Sequence, residues 1–201
     1  MDEATDTFMM DYRRLPLKFP VELQVPEGFD PDDLSTWPRY AGRLEWVGGR
    51  LLFMPPCGGT QSKTVVNLAR LIGPWTRKHR AFVDGTAEVG IRLGGDSRGA
   101  DFAIWRKKKR GSLRGFARVP PLLAVEVEGE EEAEQARALR KKTRWYLEHG
   151  TKIVWLVFPS RREIVVITTR GEGRYGPGEM TPEHAELPGL RIPVSEVFFG
   201  L

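Results

Sequence analysis

Cysteine is all but missing from the sequence. Cys57 is the only one in 201 residues, so no internal disulfide can form and a reducing compartment fits. It lies in Pro55-Pro56-Cys57-Gly58-Gly59, a turn-forming stretch with no histidine beside it, and reads as a loop thiol rather than a nucleophile. Long apolar runs are missing too: none approaches the roughly 18 to 20 residues that cross a bilayer. Met1-Asp2-Glu3-Ala4-Thr5-Asp6 is acidic where a secretory signal would be basic, so the expected address is cytoplasmic, with no membrane partner. The three histidines, His79, His149 and His184, are scattered and read as structural or solvated. No zinc-ligand spacing, phosphate-binding Gly-Lys-Ser loop or nucleophile elbow occurs, which points away from three large enzyme classes.

What the chain does contain is globular in balance, 40% hydrophobic and 29% charged, with no repeat or low-complexity segment. One domain is the default at this length. A net charge of +4 favours polyanionic partners only weakly, and its distribution says more. Arg106, Lys107, Lys108, Lys109, Arg110, Arg114 and Arg118 form a basic run without an acid, followed by Glu126, Glu128, Glu130, Glu131, Glu132 and Glu134. A basic loop beside a carboxylate cluster suits phosphodiester chemistry.

Five prolines (Pro16, Pro20, Pro26, Pro31, Pro38) mark residues 1–39 as an N-terminal arm with little regular structure, leaving 40–201 as the domain proper. Leu44–Val47 and Arg50–Met54 around Gly48-Gly49 predict a hairpin. Val65, Leu68, Ala69, Ile72 and Trp75 have helical spacing within Thr60–Lys78, with a kink expected at Gly73-Pro74. Strands are expected at Ala87–Leu93, Asp101–Trp105 and Leu122–Glu128, the last so apolar that it reads as a buried central strand. A helix over Glu131–His149, acidic at its start and ended by Gly150, precedes strands at Ile153–Phe158 and Glu163–Ile167.

The chemistry rests on carboxylates where they are costly. An unpaired charge in an interior strand costs several kcal/mol, on the order of a small domain's whole stability. Yet Glu126 directly follows Leu122-Leu123-Ala124-Val125, and the period of two puts Glu126 and Glu128 on one face with Ala124. Asp101 opens another apolar strand, and carboxylates converging at strand ends suit Mg²⁺, a hard cation that takes oxygen ligands. Taken singly, Asp101 is better explained by a turn cap and Glu128 by a solvated helix start. On the second helix Ala136, Leu139, Thr143, Tyr146 and Leu147 share a face, and Lys142 falls at its edge while Lys141 points away. Lys142 can lean toward the sheet and orient water or stabilise phosphorane charge; ordinary snorkelling explains its position equally well.

Ala100-Asp101-Phe102-Ala103-Ile104, Val125-Glu126-Val127, Lys142 four residues before Tyr146, and Gly150-Thr151-Lys152-Ile153-Val154-Trp155-Leu156-Val157 together resemble the Uma-type restriction endonucleases of the PD-(D/E)xK superfamily. The likeness runs from about Tyr40 to the end, through Leu44–Gly49, Met54-Pro55-Pro56, Ala87–Leu93 and Leu187–Pro193. It implies an α/β (α+β) fold with a restriction-endonuclease-like core, a mixed central sheet flanked by helices. It also implies metal ligands Asp101 and Glu126, catalytic Lys142, and accessory acids Glu45 and Glu88, to which Glu128 adds a carboxylate. Mg²⁺, with Mn²⁺ able to substitute, is the implied cofactor. DNA is the implied partner, its phosphates held by Arg106, Lys107, Lys108, Lys109, Arg110 and Arg114, and duplex symmetry adds a homodimer. Two positions depart from the family pattern: Ala100 stands where a proline usually precedes the aspartate, and Gln61 where a histidine is usual. The activity so implied is Mg²⁺-dependent hydrolysis of DNA by an endonuclease. A catalytically silent member of the same fold that binds nucleic acid or protein, or a restriction subunit that needs a partner, remains open beside it.

Overall fold

Alternation and turn chemistry lay down most of the chain as strands. The computed structural model describes residues 19–129 and 132–201, without the side chains of Ala87 and residues 132–136. In chain order the elements are β1 (Val21–Leu23), β2 (Arg43–Val47), β3 (Arg50–Met54), α1 (Gly59–Lys78), β4 (Phe82–Leu93), β5 (Asp96–Arg106) and α2 (Lys107–Arg110). There follow β6 (Leu123–Val127), α3 (Glu132–Glu148), β7 (Ile153–Phe158), β8 (Glu163–Thr168), β9 (Gly171–Tyr175) and α4 (Val194–Val197). Among the described residues one nine-stranded mixed sheet runs β1-β3-β2-β5-β6-β7-β8-β9, with β4 on β5, and β6 and β7 are the only named strands that pair in parallel.

Gly48 and Gly49 adopt φ of 57° and 78°, the left-handed pair that a two-residue hairpin turn between β2 and β3 needs. The strands β4 and β5 extend beyond the stretches read from hydrophobicity, because Gly94 and Gly95 turn one into the other and the ladder continues through polar residues. The described part of the N-terminal arm is less separate than its prolines suggest: β1 pairs with β3, and Trp37 packs on Phe116 with ring centroids 5.4 Å apart. Residues 1–18 of that arm, and Glu130 and Glu131 before α3, lie outside the described residues. The first helix continues through Pro74 to Lys78.

Two apolar layers sandwich the sheet. On one face Leu68, Ile72 and Trp75 of α1 and the closing residues Leu187 to Phe198 pack on Phe102, Val125 and Trp155. On the other, Trp145 and Tyr146 of α3 pack on Ala103, Ala124 and Leu156. Alternation along β5 and β6 therefore sends Asp101 and Glu126 toward α3.

What positions the site is a fork in β5. One edge of this strand is filled by β4. The other edge is shared: Ser97 pairs with Trp46 of β2, while Phe102 to Ile104 pair with Val125 to Leu123 of β6. Between Ser97 and Phe102 the partner strands part, so the backbone groups there need side-chain partners.

Candidate active site

Side chains fill the fork. Gly99 N–H donates to Glu45 Oε1 at 3.0 Å, and Gly99 C=O accepts from Lys142 Nζ at 2.5 Å. Beyond the last β5–β6 pair, Val127 N–H donates to Asp101 Oδ2 at 2.7 Å. Extending the ladder by one step sets Asp101 opposite Glu126, on the face that α3 covers. Lys142 Nζ reaches Glu126 Oε2 at 2.8 Å and Glu45 Oε1 at 3.2 Å, and Tyr146 Oη donates to Glu126 Oε1 at 2.7 Å. Glu45, Asp101, Glu126 and Lys142 are all buried. Lys142 thus points inward from α3 while Lys141 is exposed, the division read from the helical wheel.

The other flank of Asp101 is shaped by a bulge. Between the pairs Thr86–Phe102 and Val89–Ala100 the β4–β5 register shifts, and Glu88 takes a φ of 62°. Bulges re-aim side chains beside functional sites, and a non-glycine residue in the left-handed region is uncommon. Here Glu88 Oε1 lies 3.2 Å from Arg43 Nη1, which is also 3.7 Å from Asp101 Oδ1. Cys57 donates to the same Glu88 oxygen at 2.9 Å. Among the described residues Cys57, Glu88 and Asp101 form a group whose potential ligand atoms all lie within 4.8 Å of one another.

The charges in this pocket do not balance. Burial is the main force pushing the Glu126 carboxyl up to about 7, with Asp101's charge adding to it and Lys142 and Tyr146 opposing. Burial likewise raises Asp101 against the pull of Lys142 and Arg43. Burial would raise Glu45 too, but Lys142, Arg43 and Gly99 N–H outweigh it and hold that carboxyl low. Lys142 would be lowered by burial, and Glu126 and Glu45 instead raise it. Burial and Glu88 push the Cys57 thiol up to about 12, so it sits there as a neutral donor.

Gln61, on the first turn of α1, points its amide nitrogen at Asp101 Oδ1 and Oδ2, 3.2 and 3.3 Å away, and at the Val127 carbonyl, 3.4 Å away. Three oxygens around one nitrogen make a small cage. Together with Arg43 Nη1 between Glu88 and Asp101, Gln61 supplies donors to the Asp101 carboxylate.

Two expectations need correction. Glu128 lies past the end of β6, where strand alternation no longer dictates its direction, and its carboxylate meets Ser160 Oγ at 2.9 Å and Arg161 at 3.6 Å. It stands apart from the Lys142 cluster. The basic run is also not beside the acids: β5 and β6 are antiparallel, so Arg106 and α2 lie toward the start of β6 while Glu126 lies near its end. Five extended residues separate Asp101 from Arg106, roughly 16 Å. Lys107, Lys108 and Lys109 are exposed, whereas Arg106 pairs with Glu186 at 3.1 Å and Arg110 is buried over Trp105. Arg114 is exposed on the following loop. Arg43 and the Tyr146 hydroxyl were not singled out from sequence; the period of two from Arg43 to Glu45 is the signal that could have found the arginine.

A family model described as "Putative restriction endonuclease" matches residues 31–195. A solved structure titled as that of a putative nuclease belonging to DUF820 from Anabaena variabilis ATCC 29413 is similar in fold, with a TM-score of 0.73 at 16% identity. The likeness covers 85% of this chain and 97% of that one. No curated protein matches the sequence.

Proposed function

Since the chain belongs to the Uma2 restriction-endonuclease family, we propose that it is a Mg²⁺-dependent endonuclease hydrolysing DNA phosphodiester bonds at the β5 fork. The observation that carries this reading is the buried Lys142 ammonium, 2.8 Å from Glu126 and 3.2 Å from Glu45 on the face shared with Asp101. A structural salt bridge needs one acid, and this lysine meets two with a third beside them.

The donor set fits a hard divalent cation: carboxylate oxygens of Asp101, Glu126 and Glu88 and the Val127 carbonyl. Four acids (Glu45, Glu88, Asp101, Glu126) face Arg43, Lys142 and the more distant Arg98, which is 4.0 Å from Glu45. Burial raises the Asp101 and Glu126 carboxyls, and a cation held between them would offset that cost. Asp101 and Glu126 would hold the cation, with Glu88 as an accessory ligand and Mn²⁺ able to replace Mg²⁺. When bound, such an ion polarises a phosphoryl oxygen and makes water more acidic. Lys142 is placed to orient the attacking water and to offset charge gained by the phosphate. Glu45 keeps that ammonium charged and Tyr146 fixes the Glu126 carboxylate. Lys107, Lys108, Lys109 and Arg114 lie a few phosphates along the backbone from the cut and add sequence-independent grip. The two-fold symmetry of duplex DNA favours a homodimer, which sedimentation would detect.

A catalytically silent, nucleic-acid-binding reading is favoured by one observation: Gln61 and Arg43 already satisfy Asp101. Cleavage assays separate the two. With Mg²⁺ or Mn²⁺ titrated over duplex and single-stranded DNA and RNA, wild type and Lys141→Ala should cut DNA, and Lys142→Ala should be slower by on the order of 10² to 10³. If wild type cuts no faster than Lys142→Ala on any substrate, the silent reading replaces this one.

A further inference from the structure

Beside the fork lies a cleft of about 350 Å³, lined by Trp37, Arg98, Gly99 and Phe116 and sharing Arg43 and Glu88 with the site. Its floor is backbone. Gly90 and Gly99 face each other across β4 and β5, and glycines inside strands mark places where another group comes close. A methyl group at Gly90 would fall 2.8 Å from the Phe116 ring, and one at Gly99 would meet Arg43 and Glu88 at 3.4 Å. Gly99 precedes Asp101 by two residues along β5, so the backbone of the cleft floor and that of the site are about 7 Å apart.

The wall is anchored and its polar groups have a bias. Asp32 is gripped by Arg92 at 2.8 Å and Arg118 at 2.7 Å, which ties the segment carrying Trp37 to the domain. The Trp37 indole N–H and the Nε–H groups of Arg43 and Arg98 are buried and lack hydrogen-bond partners. They are closed off by the protein around them, and what the lining offers a ligand is the positive charge of Arg43 and Arg98, which favours an anion. Glu88 does not oppose this, being engaged by Arg43 and Cys57.

We propose that this cleft seats the base and sugar of one unpaired nucleotide adjoining the cut phosphate, so that single-stranded or locally opened DNA is the preferred substrate. Trp37 and Phe116 offer aromatic surface to a base, and the charge of Arg43 and Arg98 favours its phosphate. A base held in a duplex stack cannot enter a cleft in the protein wall; an extruded or unpaired one can. The inference rests on the nuclease reading for its choice of substrate.

The test uses wild-type protein in EDTA and a single-stranded oligodeoxynucleotide carrying 5-iodouracil, against the same strand in a blunt duplex. Irradiation should yield an adduct that mass spectrometry maps to Trp37 or Phe116, with the single strand bound about tenfold more tightly than the duplex. Phe116→Ala, its fold checked by circular dichroism, should lose about tenfold in single-strand affinity and little in duplex affinity. Equal affinities with adducts mapping elsewhere overturn the proposal, and they do so even if Phe116→Ala fails to fold. Metal-dependent cleavage alongside that result leaves the nuclease reading standing. An adduct on Trp37 without cleavage of any substrate keeps the nucleotide site and removes the nuclease reading.

Discussion

At the scale of the residue, Lys142 combines the roles of a candidate catalytic cation and a structural one. Its position at the edge of the apolar helix face suggests that truncation is cheap, but its ammonium is buried between two carboxylates. Lys142→Ala strands those acids, and we expect a loss of up to about 3 kcal/mol at pH 8 in urea denaturation, smaller at pH 5 where Glu126 can take a proton. Lys141→Ala, on the exposed side, should shift stability by less than about 0.5 kcal/mol. Glu126 itself predicts a pH trend. Its folded value of about 7 lies above its ordinary 4.5, so between those values the folded chain holds a proton that the unfolded chain has released. Its contribution is therefore full below about pH 4.5 and declines as pH rises through 7. Metal-free wild type should lose Tm relative to Glu126→Gln across that window, and parallel curves for the two would contradict the assignment. Taking the difference removes carboxyls held low, such as Glu45, whose contributions run the other way and fade in acid.

At the scale of the element, the β4 bulge makes a specific demand. Glu88 holds a φ of 62°, which costs an ordinary side chain roughly 1 kcal/mol and costs glycine almost nothing. Both Glu88→Gly and Glu88→Ala lose the carboxylate beside Arg43 and Cys57. They differ in backbone strain, which favours glycine, and in the chain entropy glycine gives up on folding, which offsets part of it, so Glu88→Gly should be the more stable by up to about 1 kcal/mol in urea denaturation. Equal stabilities would mean that the bulge relaxes when Glu88 is gone. The α3 helix makes the complementary point: its wheel places Lys142 and Tyr146 inward, but nothing in the wheel says that both meet the same glutamate.

At the scale of the whole molecule, charge is arranged in two zones. The fork concentrates acids in the protein, and α2 presents exposed lysines roughly 16 Å along β5 from Asp101. Replacing Lys107, Lys108 and Lys109 by Ala should reduce the slope of log affinity for duplex DNA against log salt by up to about 2.7. Mn²⁺ binding measured by calorimetry should be unchanged, because these lysines do not touch the acids. An unaltered salt slope would mark the run as a solvated surface.

Much of this was legible in the chain. Periodicity located α1, α3, the β2–β3 hairpin and the central strand β6, because side-chain burial repeats every 3.6 or every two residues along one element. The same local logic directed Glu126 and Lys142 inward. It stopped at relations between elements. That β2 and β6 share one edge of β5 follows from how the strands assemble, as does the bulge that sets Glu88 across from Asp101. Glu128 and the basic run were placed beside the site because they are close in sequence, and they moved away once β6 ended at Val127 and β5 reversed direction against it. Residue spacing along one strand or helix specifies which way a side chain faces. Which other side chains it meets is decided by packing, through contacts between residues dozens of positions apart.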